Sequence, residues 1–182
     1  PYVLPLIAKL SPKYDNCYKV FEWRGLKFNN PLGIAGGVDK TGLSLQAWQQ
    51  LGAGFLEVGT VTPKPQAPNP GLIMDRDIAK EALWNKMGFP NAGAEKLVAR
   101  LTSQKKLKVP LFVNIGKNRW TDNSQAHLDY IQCVKLLEPY ADAFVVNISS
   151  PNTKGLRDLL NASELESFLN SLKEGAQKYS NG

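Results

Sequence analysis

Cysteine, histidine and long apolar runs are scarce in this sequence, and each scarcity removes a class of function. Cys17 and Cys133 are the two cysteines in 182 residues, far apart and outside any CxxC or histidine-containing cluster, so neither a metal site nor a disulfide framework is expected. A reducing compartment fits best. The single histidine, His127, falls within a helical pattern, where a surface position is expected in place of an acid-base role. No stretch approaches the roughly 20 consecutive apolar residues of a membrane span, and the apolar run in PYVLPLIAKLSPKY is too short for a signal peptide. The chain therefore reads as neither spanning nor secreted. What is present is ordinary: 43% hydrophobic and 21% charged residues exclude a disordered, collagenous or fibrous chain, and one domain is the default. The formal charge of +6 would suit nucleic acid or an anionic membrane. The basic residues are spread along the chain, however, and Trp23, Trp48, Trp84 and Trp120 are scattered, so no nucleic-acid partner is expected.

Residues 1–28, with Pro5, Pro12 and the FEW triplet, show no sustained period and read as a leader to a main domain over 29–182. From residue 31 a pattern repeats, in which a short apolar run ends in small or polar residues and an amphipathic segment follows. The runs are Pro31 to Gly37, Phe55 to Val61, Leu111 to Gly116 and Ala143 to Ser149, whose length and β-branched content predict buried parallel strands. Helices are predicted over Leu43 to Leu51 (Leu43, Ala47 and Leu51 inward), Ala92 to Leu101 (Leu97, Val98, Leu101) and Ser124 to Leu137 (Leu128, Ile131, Val134, Leu137). A fourth begins near Ser163, with Glu166 completing a capping box, and runs through Leu165, Phe168, Leu169 and Leu172. Lys105, Lys106 and Lys108 are read as ending the second helix, which suits its dipole.

Four strand–helix units indicate a parallel α/β fold, either an open doubly wound sheet or a (βα)8 TIM barrel. A closed barrel needs about 200 residues at least and typically about 250. The polar residues nevertheless favour the barrel. No GxGxxG opens the first helix, and each strand ends in a candidate ligand group instead: Lys40, Thr60, Asn114 and Asn147. Such convergence at the carboxyl ends of several strands is the barrel arrangement, so the chain is expected to supply about the first four βα units of one.

The segment VVNISSPNTKGLR, residues 145–157, concentrates Asn147, Ser149, Ser150, Asn152 and Thr153 beyond a buried strand, with Pro151 ending it and Gly155 permitting a turn. By itself this is either an Asx- and Ser/Thr-rich turn or a site that holds a planar, amide-rich ligand with a serine facing it.

Together with NPLGIAGGVDK, EVGTVTPKPQ, NKMGFPN and VNIGKN, in that order between about Phe28 and Arg157, the segment resembles the dihydroorotate dehydrogenase family, and its class 2, quinone-linked branch in particular. The resemblance implies an FMN-containing (βα)8 barrel oxidising dihydroorotate to orotate in pyrimidine synthesis. It implies Ser150 as the catalytic base, where class 1 members have cysteine. It also implies Gly36, Gly37, Lys40, Thr60, Asn114 and Asn147 as FMN contacts, with no metal. Lys40, Asn147 and Asn152 would contact substrate, as would the loop Asn85, Lys86, Met87, Gly88 and Phe89. Thr153 and Phe89 would shape a water relay and a dry wall. Lys86 and Pro90 depart from the family's usual arginine and asparagine. Arg157 is expected to anchor the loop. The resemblance further implies a quinone acceptor, a peripheral membrane contact through amino-terminal helices of which PYVLPLIAKL would be a remnant, and a phosphate anchor beyond these residues. The fragment alone is thus expected to be inactive. A relative of dihydropyrimidine dehydrogenase is disfavoured because Ser150 stands where those proteins use cysteine.

Overall fold

The computed structural model describes Val3 and residues 19–179; the expected remnant PYVLPLIAKL, Pro12 and Cys17 lie, apart from Val3, outside the described residues. Four strands form one sheet in the order β3 (Gly33–Ile34), β4 (Phe55–Val61), β7 (Leu111–Ile115) and β8 (Ala143–Val146), every neighbouring pair parallel. The order follows the chain without reversing. A doubly wound sheet reverses at its switch point, whereas consecutive parallel strands are the start of a barrel. Helices α1 (Leu45–Gln50), α2 (Ala94–Thr102), α3 (Ala126–Leu137) and α4 (Ala162–Gln177) follow the four strands in turn.

Alternation along the strands separates two faces. Leu56, Val58, Leu111, Val113 and Ile115 are almost fully buried in the core with Leu97, Leu101, Tyr130, Val134 and Leu137 from the helices. The opposite face carries Phe55, Glu57, Phe112 and Asn114, so a charged and an amide side chain sit one register step beyond two aromatic rings. Tyr130 meets Phe168 edge-on at 5.2 Å, tying α3 to α4.

Several local expectations are corrected. Part of the supposed leader is a hairpin, β1 (Phe21–Trp23) and β2 (Leu26–Phe28), whose Phe28 is buried and meets Phe55 at 5.8 Å and Phe112 at 6.3 Å, both edge-on. It thereby covers the amino-terminal end of β4 and β7. A second hairpin, β5 (Met74–Asp77) and β6 (Ala82–Asn85), rises between β4 and α2 where no strand was expected, because its mixed charged and apolar residues carry no clean period. The first strand shrinks to two residues. Helix α1 buries Leu45 and Ala47 while Leu43 and Leu51 are exposed. The reason is Asp39, whose carboxylate accepts from Leu43 N at 3.0 Å and Ser44 N at 2.8 Å and delays the helix to Leu45. Leu128 and Leu169 are likewise exposed. Helix α4 begins at Ala162 after Asn161, which places Ser163 inside the helix and leaves the expected capping box unmade. Helix α2 stops at Thr102, so Lys105, Lys106 and Lys108 lie in the loop beyond it.

Candidate functional site at the carboxyl ends of the strands

The end of β4 is built around a close approach. Gly59 has φ +106°, and a Cβ there would lie 2.3 Å from the Asn114 carbonyl oxygen, so only glycine fits. The register between β4 and β7 then shifts between Gly59 and Val61, leaving Thr60 as a bulge residue, a usual way to re-aim a side chain beside a site. The re-aimed Thr60 hydroxyl donates to Asn114 Oδ1 at 2.6 Å and accepts from Asn147 Nδ2 at 3.0 Å. Asn147 Nδ2 also reaches Asn114 Oδ1 at 3.2 Å. Three residues expected at one site from three strands are thus one hydrogen-bonded cluster. Asn147 Oδ1 is left buried without a partner among the described residues.

Glu57, which the sequence reading passed over, fixes the cluster's polarity. Its Oε1 accepts from Asn114 Nδ2 at 2.7 Å, so the amide of Asn114 must present Oδ1 to Thr60 and Asn147. Alternation alone could have marked Glu57, since it shares a strand face with Phe55 in an otherwise apolar run. Gly36 packs against the same carboxylate: a Cβ there would stand 2.4 Å from Glu57 Oε1, so the carboxylate would have to give way. Gly37, by contrast, has φ +96° and open space where a side chain would be, with its N–H donating to the Gly59 carbonyl at 2.9 Å.

Lys40 follows β3 and is half-buried; burial pushes its ammonium below the ordinary lysine range. Its hydrogen-bond partner is the Met87 thioether at 3.1 Å, a weak acceptor that leaves the cation under-satisfied. The Lys40–Met87 contact joins the first strand's end to the loop after β6. That loop runs from exposed Asn85 through half-buried Lys86 and Met87 to buried Gly88 and Phe89. Lys86 N donates to the Ile73 carbonyl at 2.8 Å, which shows the backbone of this residue in use and gives its side chain no partner of its own among the described residues.

The turn after β8 comes against the same loop. Asn152 Nδ2 approaches the Asn85 carbonyl at 3.4 Å, and Asn69 Nδ2 donates to the Asn152 carbonyl at 3.0 Å. Ser150 is half-buried, and its Oγ accepts from Asn152 N at 3.2 Å, a Ser-turn bond that leaves the hydroxyl proton without an acceptor among the described residues. Thr153 Oγ1 is buried and also unpartnered. Arg157 Nε donates to the Ser149 carbonyl at 3.1 Å, so it anchors this turn. The Tyr130 hydroxyl donates to the Asn147 carbonyl at 2.9 Å from the helix side; burial pushes its phenol well above the usual range, keeping it a donor.

Four strand ends therefore deliver Lys40, Thr60, Asn114 and Asn147 to one face, with the 85–89 loop and the 149–153 turn meeting beside them. The family model for dihydroorotate dehydrogenase matches residues 17–180. The chain belongs to the dihydroorotate dehydrogenase family. It is 47% identical over 156 residues to a Thermus thermophilus protein named dihydroorotate dehydrogenase (quinone), covering 85% of this chain and 45% of that one. A Synechococcus protein of the same name is 46% identical over 97% of this chain and 46% of its own length, and one from Alkalilimnicola ehrlichii is 50% identical over 81% and 43%. A crystal structure of DHODH from Eimeria tenella in complex with ferulenol superposes with a TM-score of 0.82 at 36% identity, covering 97% of this chain and 50% of that one. The chain thus spans about half the length of the relatives it matches, in keeping with four βα units of the TIM-barrel fold.

Proposed function

We propose that the protein carrying this chain oxidises dihydroorotate to orotate, with FMN as its resident cofactor and a quinone as electron acceptor. The observation that carries the reading is the convergence of Lys40, Thr60, Asn114 and Asn147 beside the Asn85–Phe89 loop and the Ser150–Asn152 turn. The residues suit a flavin. Among the described residues, Asn147 Oδ1 is a buried acceptor in want of a donor, Lys40 is a cation whose one bond goes to a thioether, and the space above Gly37 is open. Gly36, Gly37, Lys40, Thr60, Asn114 and Asn147 would hold the ring system, which when bound supplies the two-electron acceptor for substrate hydride.

In this reading the chain's own groups bind and move a proton. Asn85, Asn147 and Asn152 supply donors and acceptors to the planar substrate, and the backbone at Lys86, Met87 and Gly88 comes close to it. Phe89, buried at φ +53°, excludes water from one side. Lys40 offsets negative charge that develops at the ring or on the substrate carboxylate. Ser150 takes the ring proton. A serine hydroxyl is a poor base unless its proton is passed on. The orphaned Thr153 hydroxyl, three residues away, is a place where a bridging water is expected. The quinone assignment rests on Ser150 and on the relatives' shared name. No helix among the described residues is long and apolar enough to cross a membrane. We propose peripheral attachment, to which basic residues near an anionic surface add about 1 kcal/mol each.

Rapid mixing of the full-length protein with dihydroorotate should bleach the flavin, and Ser150→Ala should abolish most of that reduction while the flavin stays bound. Near-normal reduction in the alanine variant refutes the base assignment. Ubiquinone, fumarate and NAD compared as acceptors should show preference for the quinone; preference for either of the others removes the class 2 reading.

A further inference from the structure

The loop at 85–89 is held by groups with no place in the chemistry above. The Gly88 carbonyl accepts from Gln66 Nε2 at 2.8 Å and from an Arg119 guanidinium nitrogen at 3.3 Å. The same guanidinium nitrogen donates to the Ala67 carbonyl. Gln66 is itself fixed on every side. Its backbone pairs both ways with Asn91, N–H to carbonyl at 2.9 Å and carbonyl to N–H at 3.0 Å, and its side-chain Oε1 accepts from Arg119 N at 2.8 Å and Asn118 Nδ2 at 3.3 Å. The residue is 5% exposed. Asn118 in turn is seated by Asp129, whose carboxylate accepts from Asn118 N at 2.8 Å and Thr121 Oγ1 at 2.8 Å. The loop leaving β7 is thus locked to α3, and it reaches the Gly88 carbonyl both directly, through Arg119, and through Gln66.

We infer that Gln66, backed by Arg119, is a positioning residue that sets the height of the 85–89 loop over the substrate and so the affinity for the pyrimidine ring, without touching substrate or flavin. The inference rests on the proposed function, in which that loop binds substrate. Two donors from separate segments converge on one carbonyl, and Gly88 lies between the Met87 thioether that meets Lys40 and the Phe89 ring that is buried against Gly116. A glutamine is needed there because it must donate to Gly88 and accept from Arg119 and Asn118 at once. Glutamate keeps the shape and the acceptor and loses the donor.

The test uses the full-length flavoprotein and titrates orotate by its perturbation of the flavin absorbance. Gln66→Glu should weaken orotate at least about tenfold, the effect of one lost hydrogen bond plus repulsion at the carbonyl, while flavin content and the rate of flavin reduction at saturating dihydroorotate stay near the parent's. Arg119→Lys keeps the charge but loses the fork and should weaken orotate about threefold, as expected for one long bond. Gln66→Asn provides a second route if the glutamate variant does not accumulate, and should raise the orotate dissociation constant in the same way because its shorter arm cannot span both partners. Orotate affinity within twofold of the parent in the variants, or affinity loss that only follows loss of flavin, overturns the clamp. A parent whose flavin ignores orotate overturns the proposed function and the clamp together, whereas a responsive parent with variants that bind orotate as tightly as it does overturns the clamp alone.

Discussion

Asn114→Asp converts the polar cluster into a pH-dependent fault whose size can be worked from the geometry. In the native cluster Asn114 Nδ2 donates to Glu57 Oε1 at 2.7 Å, while its Oδ1 accepts from Thr60 and Asn147. The substitution keeps the second role and destroys the first. While the new carboxyl is ionised, the hydrogen bond to Glu57 is lost, costing about 1.5–3 kcal/mol. Two carboxylates would then face each other at about 3 Å, a repulsion of about 5 kcal/mol at an effective dielectric constant near 20. Holding one proton between them at pH 7 costs about 4 kcal/mol, taking about 1.4 kcal/mol per pH unit from an ordinary carboxyl value near 4. Protonation is the cheaper outcome, so the folded variant carries a proton that its unfolded chain releases. The carboxyl introduced at 114 has a folded pKa above its unfolded one, so its contribution to stability is fully present at low pH and is lost as pH rises. Relative to the parent, the variant's deficit in urea unfolding of the full-length protein should therefore shrink by about 1.4 kcal/mol per unit between pH 7 and pH 5. Asn114→Leu, which removes the same donor but introduces no second carboxyl, should show a deficit that varies less with pH than that of Asn114→Asp. A flat difference for Asn114→Asp would refute the assigned amide orientation and the role of Glu57 with it.

Three further outcomes follow from the packing. Gly59→Ala should cost at least about 3 kcal/mol, since both its φ of +106° and the 2.3 Å approach to the Asn114 carbonyl oppose a side chain, and urea midpoints will measure it; a loss below 1 kcal/mol would argue against the close approach. Burial pushes the Cys133 thiol well above its usual range, so in a Cys17→Ser background labelling at pH 8 should occur at the rate of unfolding, and rapid labelling of folded protein would contradict the buried site. Residues 1–182 expressed alone should neither hold FMN tightly nor stay monomeric, because β3 and β8 are the outer strands of the sheet. Size exclusion with flavin fluorescence quenching is the measurement, and a soluble monomer binding FMN at nanomolar concentration would overturn that expectation.

The strand–helix repeat, the strand boundaries of β4 and the polar residues at the strand ends are local properties, and the sequence determined them through period, β-branching and the breaks after each run. Lys40, Thr60, Asn114 and Asn147 could be named as a group because each ends an apolar run at the same phase of the repeat. Tertiary structure decided what those residues do to one another. Sequence period cannot show that Glu57 turns the Asn114 amide, because the pairing depends on the parallel register of β4 against β7. It cannot show that Asp39 holds the Leu43 and Ser44 N–H groups ahead of α1 and so starts the helix at Leu45, because a side-chain bond to two backbone N–H groups outweighs the spacing of apolar residues. The Phe21–Phe28 hairpin was unreadable for a related reason: its three-residue strands are too short for a period, and Phe28 is buried by rings from β4 and β7. Gln66 and Arg119 meet the Gly88 carbonyl from 22 and 31 residues away, and only the packed chain brings such distant donors to one oxygen.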